Sequence, residues 1–210
     1  MKIGVSGASG HLGRAVVSEL LQRRGGHEVA AITRTPETVA GPARGRFGDY
    51  NRPESLAEAY AGLDRLLIIP SLDAGKRGAQ NVAIAENRVA FVARGDVAAA
   101  AAGILIGDCH AGATYNATGP ERLSGAERAA LVAEITGRPL AFLVITEEQL
   151  RAGLTQASLP AQVVNTVISI QASFAAGAFD IMTGDVERLG GRPPKPLRDV
   201  LAGALKFPSA

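Results

Sequence analysis

Three glycines near the N-terminus, Gly7, Gly10 and Gly13, constrain the fold of this chain more than any other feature. They follow an apolar run at 3–5, and a helical pattern of apolar residues leads from them to a second apolar run at 29–32. Glycines at this spacing let a strand turn tightly into a helix and let the backbone approach a pyrophosphate. The pattern predicts a dinucleotide-binding turn, with an ordinary glycine-rich turn between strand and helix as the alternative.

Strands and helices alternate along the first third of the chain, an order that is typical of a parallel sheet. We expect strands at 2–5, 28–33, 45–47 and 65–69, with helices at 11–24 and 53–61. The strand at 65–69 is apolar without alternation, as expected for a strand covered on both faces, and Pro70 ends it. We therefore predict an α/β fold with a shortened, Rossmann-like parallel sheet in which this strand is central.

The rest of the chain is predicted to be mainly helical. We expect a helix at 78–87, a strand at 88–92, a helix that Asp96 caps and that runs to about Ile106, and a strand at 115–118. Capping boxes begin at Ser124 and Thr146, and Pro160 opens a long amphipathic helix. These elements suggest a dinucleotide-binding Rossmann half at 1–87 with a C-terminal region of strands and helices at 88–210 packed on it, one continuous domain being the alternative.

Composition argues against nucleic acid, a metal site and a membrane span. The net charge is +2, 4% of the residues are aromatic and the arginines are scattered, so a nucleic-acid partner is not expected. The single cysteine, Cys109, excludes an internal disulfide, and the three histidines show no zinc-ligand spacing. The longest apolar run, 97–107, is too short to cross a bilayer, and a strand that begins at residue 2 leaves no room for a signal peptide. We therefore expect a cytoplasmic protein.

Several sequence blocks are specific enough to indicate a family. They are the glycine pattern at 7–13, Arg34, Gly48-Asp49-Tyr50, the tracts 88–98 and 115–121, and the closing segment 190–194. In this order they resemble the NmrA-like atypical short-chain dehydrogenases, and among these the bacterial NAD(P)H:quinone oxidoreductases. The resemblance implies an NAD(P)-binding oxidoreductase. Members of that family carry a fifth and a sixth strand in a central segment that is missing here, where Asn87 runs directly into Arg88.

The predicted cofactor site begins at the glycine turn. Donors to a pyrophosphate are expected from the turn and the helix N-terminus, at Ser9, Gly10, His11 and Leu12. Gly7 and Gly13 belong to the same site because they shape the turn. A solvated residue at the start of a helix is the alternative role for His11.

The residue after the second strand points to a phosphorylated ribose. NAD-specific sites usually carry an acidic residue there for the ribose hydroxyls, but Thr33-Arg34-Thr35 has none. Arg34 suits a 2′-phosphate, so NADP(H) is the preferred cofactor and NAD(H) the alternative. An ordinary exposed arginine is the other reading of this position.

The family resemblance adds residues from the third and fourth strand ends. It implies that Asp49 and Tyr50 flank the adenine, although Asp49 could equally cap the helix that follows. It also implies that three residues lie against the ribose and the nicotinamide, namely Ile69, Pro70 and Ser71.

No conventional acid for carbonyl reduction is present. Short-chain dehydrogenases use a tyrosine with a lysine four residues later to move a proton at the carbonyl oxygen. The residues four positions after Tyr50, Tyr60 and Tyr115 are Glu54, Asp64 and Gly119. A quinone demands less of a fixed acid because its product anion is stabilised and the cofactor carries the hydride.

We therefore predict NAD(P)H-dependent reduction of a quinone or a related aromatic carbonyl, with no catalytic residue assigned. A small aromatic or quinonoid molecule is the expected partner. The alternatives are a non-catalytic dinucleotide-binding redox sensor and a nicotinamide-dependent hydroxylation of a quinonoid natural product.

The missing central segment also bears on assembly. Without further strands, the apolar strand at 66–69 would be a sheet edge that exposes backbone groups, unless 88–92 or 115–118 pairs with it. In that case the amphipathic helix at 160–178 would stay partly unburied. We predict a homodimer in which the C-terminal helical region, or an exchanged strand, completes the core of the partner.

Overall fold

The alternating first third of the chain folds around parallel strands. The computed structural model describes residues 1–23, 25–70 and 82–204. The strands are β1 (Lys2–Ser6), β2 (Glu28–Thr33), β3 (Arg44–Phe47), β4 (Arg65–Ile68), β5 (Val82–Ala83), β6 (Arg88–Val89), β7 (Leu123–Ser124) and β8 (Leu143–Val144). The α-helices are α1 (His11–Gln22), α2 (Glu54–Tyr60), α3 (Arg94–Ile106), α4 (Gly125–Thr136), α5 (Glu147–Gln156), α6 (Ala161–Ala175), α7 (Asp185–Gly190) and α8 (Leu197–Ala204), and a 3₁₀ turn spans Pro36–Thr38.

The main sheet has four parallel strands in the order β3-β2-β1-β4. Val5 pairs with Ala31 on β2 and with Leu67 on β4, which fixes the register of the two pairings that β1 makes. Because all four strands are parallel, their carboxyl ends lie along one edge of the sheet. The predicted α/β fold with a Rossmann-like parallel sheet is confirmed.

The sheet belongs to a compact unit, unit 1, which contains the described residues 1–23, 25–70, 94–117 and 184–194. Its core joins apolar residues of β1 and β2 to the buried faces of α1 and α3. Alanines dominate α3, and Gly103 lets α7 approach closely, since a Cβ there would lie 2.9 Å from the carbonyl carbon of Leu189. Arg192 joins this packing through a 2.7 Å ion pair with Glu19, and that hydrogen bond raises the pKa of Arg192.

The second compact unit, unit 2, contains the described residues 82–93, 118–183 and 195–204. Two short ladders belong to it, a parallel one between β5 and β8 and an antiparallel one between β6 and β7. A small core of Leu150, Val164 and Ile168 joins α5 to α6. The predicted boundary between a Rossmann half at 1–87 and a C-terminal region at 88–210 stays a prediction.

The helix starts in unit 2 follow the sequence. Ser124 Oγ accepts from Glu127 N at 3.1 Å while Glu127 Oε2 accepts from Ser124 N at 2.8 Å, so the capping box is confirmed. The second box, between Thr146 and Gln149, is confirmed in the same way. Pro160 directly precedes α6.

Three local predictions are wrong. A helix was expected at 78–87, but its described part contains β5, whose residues pair with β8; positions 78–81 lie outside the described residues. A strand was expected at 115–118, but Asn116 N donates instead to Asp185 Oδ2 at 3.0 Å, and no ladder includes the segment. Asp96 was expected to cap its helix, but α3 begins at Arg94 and Asp96 lies buried within the first turn.

The position of the fourth strand also differs from the expectation. Within the described part of the chain, β4 is an edge strand and not a central one, and Ile68 is 55% exposed. The predicted strand 88–92 is reduced to β6, which pairs with β7, and the described ladders do not include 115–118.

Candidate dinucleotide-binding site

The glycine turn after β1 has a geometry that other residues would not tolerate. Gly7 has a φ of +84°, and both Gly7 N and Ala8 N donate to Ile32 O at 3.1 Å. A Cβ on Gly13 would collide with Gly7 O and would lie 2.7 Å from Ala8 Cα. The first glycine thus serves the turn and the third serves close helix packing, as the sequence predicted.

The helix start that follows offers free donors. Gly10 is the N-cap of α1, no side chain caps this helix, and its first turn carries no acidic residue. The first backbone N–H groups of an α-helix have no partner within the helix, which here concerns His11, Leu12 and Gly13. With the positive end of the helix dipole at the same place, this terminus is suited to a diphosphate. Ser9 and His11 are exposed beside it.

Arg34 lies one residue beyond β2, at the carboxyl edge of the sheet. Its side chain is exposed and makes no hydrogen bond or ion pair with a described residue. The neighbouring Thr35 N donates to Thr33 Oγ1 at 3.3 Å, which shapes the chain as it leaves the strand. The guanidinium is therefore available to an anion that approaches this edge.

Sequence reasoning missed a second cation near the turn. Arg14, an exposed residue in α1, lines a cavity of about 460 Å³ together with Ala8, Ser9 and Thr38. The sequence shows a basic residue one helical turn after Gly10. The sequence alone does not indicate that this residue lies beside the segment that follows β2. The cavity borders the glycine turn directly.

Asp49 does not cap the following helix. Its Oδ1 accepts from Asn51 N at 3.0 Å, whereas α2 begins at Glu54 with Pro53 as the N-cap and without a side-chain cap. Ser55 Oγ accepts from Asp49 N at 3.0 Å and completes this tight turn. The capping alternative for Asp49 is therefore wrong, while its predicted place beside an adenine stays a prediction.

Tyr50 belongs to a cluster of hydroxyl groups at the end of β1. Its hydroxyl donates to Ser6 Oγ at 2.9 Å and to Ile69 O at 3.2 Å, and Tyr60 Oη lies 3.0 Å from the same Ser6 Oγ. Ser6 itself is buried. No sequence pattern indicates this cluster, which joins the segment after β3 to the ends of β1 and β4.

The end of β4 meets the glycine turn. Ile69 N donates to Ser6 O at 3.1 Å, and a Cβ on Gly7 would lie 3.0 Å from Ile69 O. Pro70 follows directly, whereas Ser71 lies outside the described residues. The structure thus brings the glycine turn, Arg34, Asp49, Tyr50, Ile69 and Pro70 to one edge of one unit.

Neither a metal centre nor a membrane helix emerges from the described parts of the chain. No group of three histidine, cysteine, aspartate or glutamate side chains there could hold a metal ion. Among the helices at 1–23, 25–70 and 82–204, none is long and apolar enough to cross a bilayer.

Comparison with known proteins finds similarity over the part of the chain that contains the glycine turn. Residues 7–104 match the NAD(P)H-binding family model. An NAD(P)H azoreductase of Xenophilus azovorans is 30% identical over 124 residues, which is 57% of this chain and 42% of the azoreductase. The chain thus matches less than half the length of that relative.

Solved structures show the same fold. The NADPH-dependent quinone oxidoreductase of Escherichia coli, in complex with NADPH, is similar with a TM-score of 0.84 at 18% identity, over 97% of this chain and 100% of that one. The triphenylmethane reductase of Citrobacter is similar with a TM-score of 0.82 at 21% identity, over 99% and 100% of the two chains. The resemblance indicated by the sequence blocks is confirmed.

Proposed function

We propose that the chain uses residues 7–104, which match the NAD(P)H-binding family model, to bind a dinucleotide and to reduce a quinone or a related aromatic carbonyl. The observation that carries the proposal is the N-terminus of α1, which has no side-chain cap and no acid in its first turn. It lies at the carboxyl edge of the sheet, where open α/β folds bind their ligands.

The residues present fit a dinucleotide. A Cβ at Gly13 would intrude on the backbone of the turn, and the N-terminal N–H groups of α1 are the type of donor that binds a pyrophosphate. Gly10 leaves the approach to these donors open. When bound, a reduced nicotinamide supplies the hydride.

Charge favours the phosphorylated cofactor. Arg34 stands where NAD-specific proteins carry an acid, and its exposed guanidinium has no partner among the described residues. A charge-assisted contact to a 2′-phosphate is stronger than one between neutral groups. We infer that NADP(H) is preferred and that Arg14 adds to the positive charge near the turn.

The substrate class follows from the missing proton donor. The residues four positions after the three tyrosines are Glu54, Asp64 and Gly119, so no tyrosine-lysine pair can serve a poorly stabilised alkoxide. In addition, the hydroxyls of Tyr50 and Tyr60 are both engaged with Ser6. A quinone accepts hydride without such a donor because its product is a stabilised phenolate. An azo dye is a further aromatic candidate, given the azoreductase relative.

The test compares acceptors at a fixed NADPH concentration by following the nicotinamide absorbance. Small quinones should be reduced, and aliphatic ketones should leave the absorbance unchanged. Equal rates with both acceptor classes would contradict the proposed substrate class.

A redox sensor is the second candidate. The observation in its favour is the same lack of a tyrosine-lysine pair, since a protein that only binds the dinucleotide needs no proton donor. Tight NADPH binding without turnover of any quinone or azo compound would favour the sensor over the reductase.

A further inference from the structure

The cavity of about 460 Å³ beside the glycine turn extends beyond the residues assigned to the dinucleotide. Its described lining belongs entirely to unit 1 and comes from the glycine turn, from α1, from β2 and from the segment at 38–42. Of the residues predicted to bind the cofactor, Ser9 alone is part of that described lining. We call this space the α1 cavity.

One wall of the α1 cavity is a single face of α1. Arg14, Val17 and Leu21 lie three and four residues apart, which is the spacing of neighbours on one face of a helix. At a rise of 1.5 Å per residue, the step from Arg14 to Leu21 covers about 10 Å along the helix axis. This wall therefore runs from a cation near the glycine turn to an apolar residue two helical turns away.

The other walls of the α1 cavity are mainly aliphatic. The segment at 38–42 forms a second wall, and buried Ala31 of β2 contributes to the lining. Val17, Leu21 and Val39 pack against the core of unit 1 but stay only partly buried. The described lining contains no aromatic side chain. Such a surface offers no ring to stack on and is suited to an alkyl chain, whose burial it would complete.

Arg14 places a positive charge at one end of the α1 cavity. Its side chain is exposed and makes no hydrogen bond or ion pair with a described residue. The described lining contains no carboxylate, and Glu19, the acidic residue of α1, is paired with Arg192 at 2.7 Å. The positive end of the α1 dipole and the exposed hydroxyl of Ser9 lie at the same end. An anionic head group is therefore favoured there.

The charge and the apolar walls together define the ligand. An apolar cavity of about 150 Å³ binds benzene in another protein, so the larger α1 cavity has room for an alkyl chain. We propose that the α1 cavity binds a medium-chain aliphatic carboxylate, with the carboxylate at Arg14 and the chain lying along α1 toward Leu21. The proposal concerns binding alone and does not rest on the reduction of a quinone.

The test titrates the full-length protein, without NADPH, with octanoate, octanamide and butanoate, using ligand-observed NMR. Octanoate should bind about tenfold more tightly than octanamide, because only the carboxylate makes a charge-assisted contact with the Arg14 guanidinium. It should also bind at least about tenfold more tightly than butanoate, because each additional buried CH₂ group adds to the affinity.

Substitutions of Arg14 locate the site. Arg14→Gln should bind octanoate about tenfold more weakly and octanamide as the wild type does, whereas Arg14→Lys should keep part of the preference for octanoate. Arg52→Gln is the matched control, because it removes an exposed arginine of unit 1 outside the described lining, and it should bind octanoate like the wild type.

Four results would overturn the proposal. They are a wild type that does not bind octanoate, octanamide binding as tightly as octanoate, butanoate binding as tightly as octanoate, and equal octanoate affinities in Arg14→Gln and Arg52→Gln. Thermal unfolding shows whether Arg14→Gln is folded. If it is not, Arg14→Met takes its place, and octanoate binding by that variant with the affinity of the wild type overturns the proposal.

Discussion

The hydroxyl of Tyr50 donates a 2.9 Å hydrogen bond to Ser6 Oγ, which joins the segment after β3 to the end of β1. The same hydroxyl reaches Ile69 O, so Tyr50 bridges the strand ends that border the glycine turn. This contact gives a residue expected at the adenine a second role, that of holding the edge of the sheet together.

Tyr50→Phe should lower the free energy of unfolding by about 1 kcal/mol, because the hydroxyl whose single proton Ser6 Oγ and Ile69 O share is lost. It should also weaken NADPH binding, since the strand ends around the glycine turn would lose a hydrogen bond that holds them together. Tyr115→Phe is the matched control, because its hydroxyl bonds His110 Nδ1 at 2.8 Å elsewhere in unit 1. Chemical unfolding and calorimetric titration report the two effects. An equal loss of NADPH affinity in both variants would contradict the local role of Tyr50.

Arg34→Gln should weaken NADPH binding by about tenfold and leave NADH binding unchanged, because only the 2′-phosphate meets the guanidinium. Arg52→Gln, which removes another exposed arginine of unit 1, should change neither affinity. Calorimetric titration of both dinucleotides measures the difference. If wild-type protein binds NADH as tightly as NADPH, the assignment of Arg34 is wrong.

Gly13→Ala should destabilise the protein by about 1 to 3 kcal/mol, because the added Cβ meets the turn backbone in a tightly packed place. Gly95→Ala, in the first turn of α3, has open space around the new Cβ and should be neutral or stabilising. Denaturant unfolding compares the two variants. Equal stabilities would contradict the close contact between α1 and the glycine turn.

The interactions of Glu127 predict that the stability of unit 2 depends on pH. The Ser124 backbone N–H, followed by Arg88, lowers the pKa of Glu127 below its ordinary 4.5. A lowered folded-state pKa gives stability that is present above the unfolded pKa and is lost as the pH falls through the folded one. Glu127→Gln, which can still close the capping box, should therefore melt below the wild type at neutral pH.

That difference in melting temperature should shrink as the pH falls below 4.5, the ordinary value, because the wild-type carboxylate then becomes protonated. Glu86→Gln is the control, an exposed residue of unit 2 without an ion pair to the described residues. A gap between Glu127→Gln and the wild type that does not change with pH would refute the electrostatic origin of the effect.

The parallel sheet was predictable because its signals are local. The glycine spacing after β1 and the apolar runs at β1 and β2 depend only on neighbouring residues. The structures of the segments 82–89 and 115–118 were not predictable, because their partners are remote in sequence. Val82 pairs with Leu143, and Asn116 N donates to Asp185. Short strands of this kind carry too little periodicity to be distinguished from a helix or a loop.

Some features of the candidate site were predictable from the sequence and others were not. The turn and Arg34 follow from the sequence because each occupies a fixed place relative to a strand end. The hydrogen bond from Tyr50 to Ser6 joins residues that are 44 positions apart, and no sequence pattern indicates it. Arg14 was missed because its closeness to the segment after β2 depends on how α1 packs.

Assembly is a further prediction. Ile68 on β4 is 55% exposed, and Val163 and Ile170 on α6 are exposed as well. We expect a homodimer in which the C-terminal helical region, or an exchanged strand, covers apolar surface of the partner. Light scattering coupled to size exclusion gives the mass directly. A single species near 21.6 kDa at micromolar concentration would contradict the dimer.

The central claim, that the turn before α1 holds the dinucleotide, is tested most directly by calorimetric titration of NADPH into the wild type and Gly10→Val. A side chain at Gly10 would crowd Gly7 O, which lies 3.3 Å from the added Cβ, and would stand over the N-terminal donors of α1. We expect NADPH to bind the wild type and Gly95→Ala alike, and to bind Gly10→Val at least about tenfold more weakly. Equal affinity in folded Gly10→Val, or no binding by the wild type, would contradict the account.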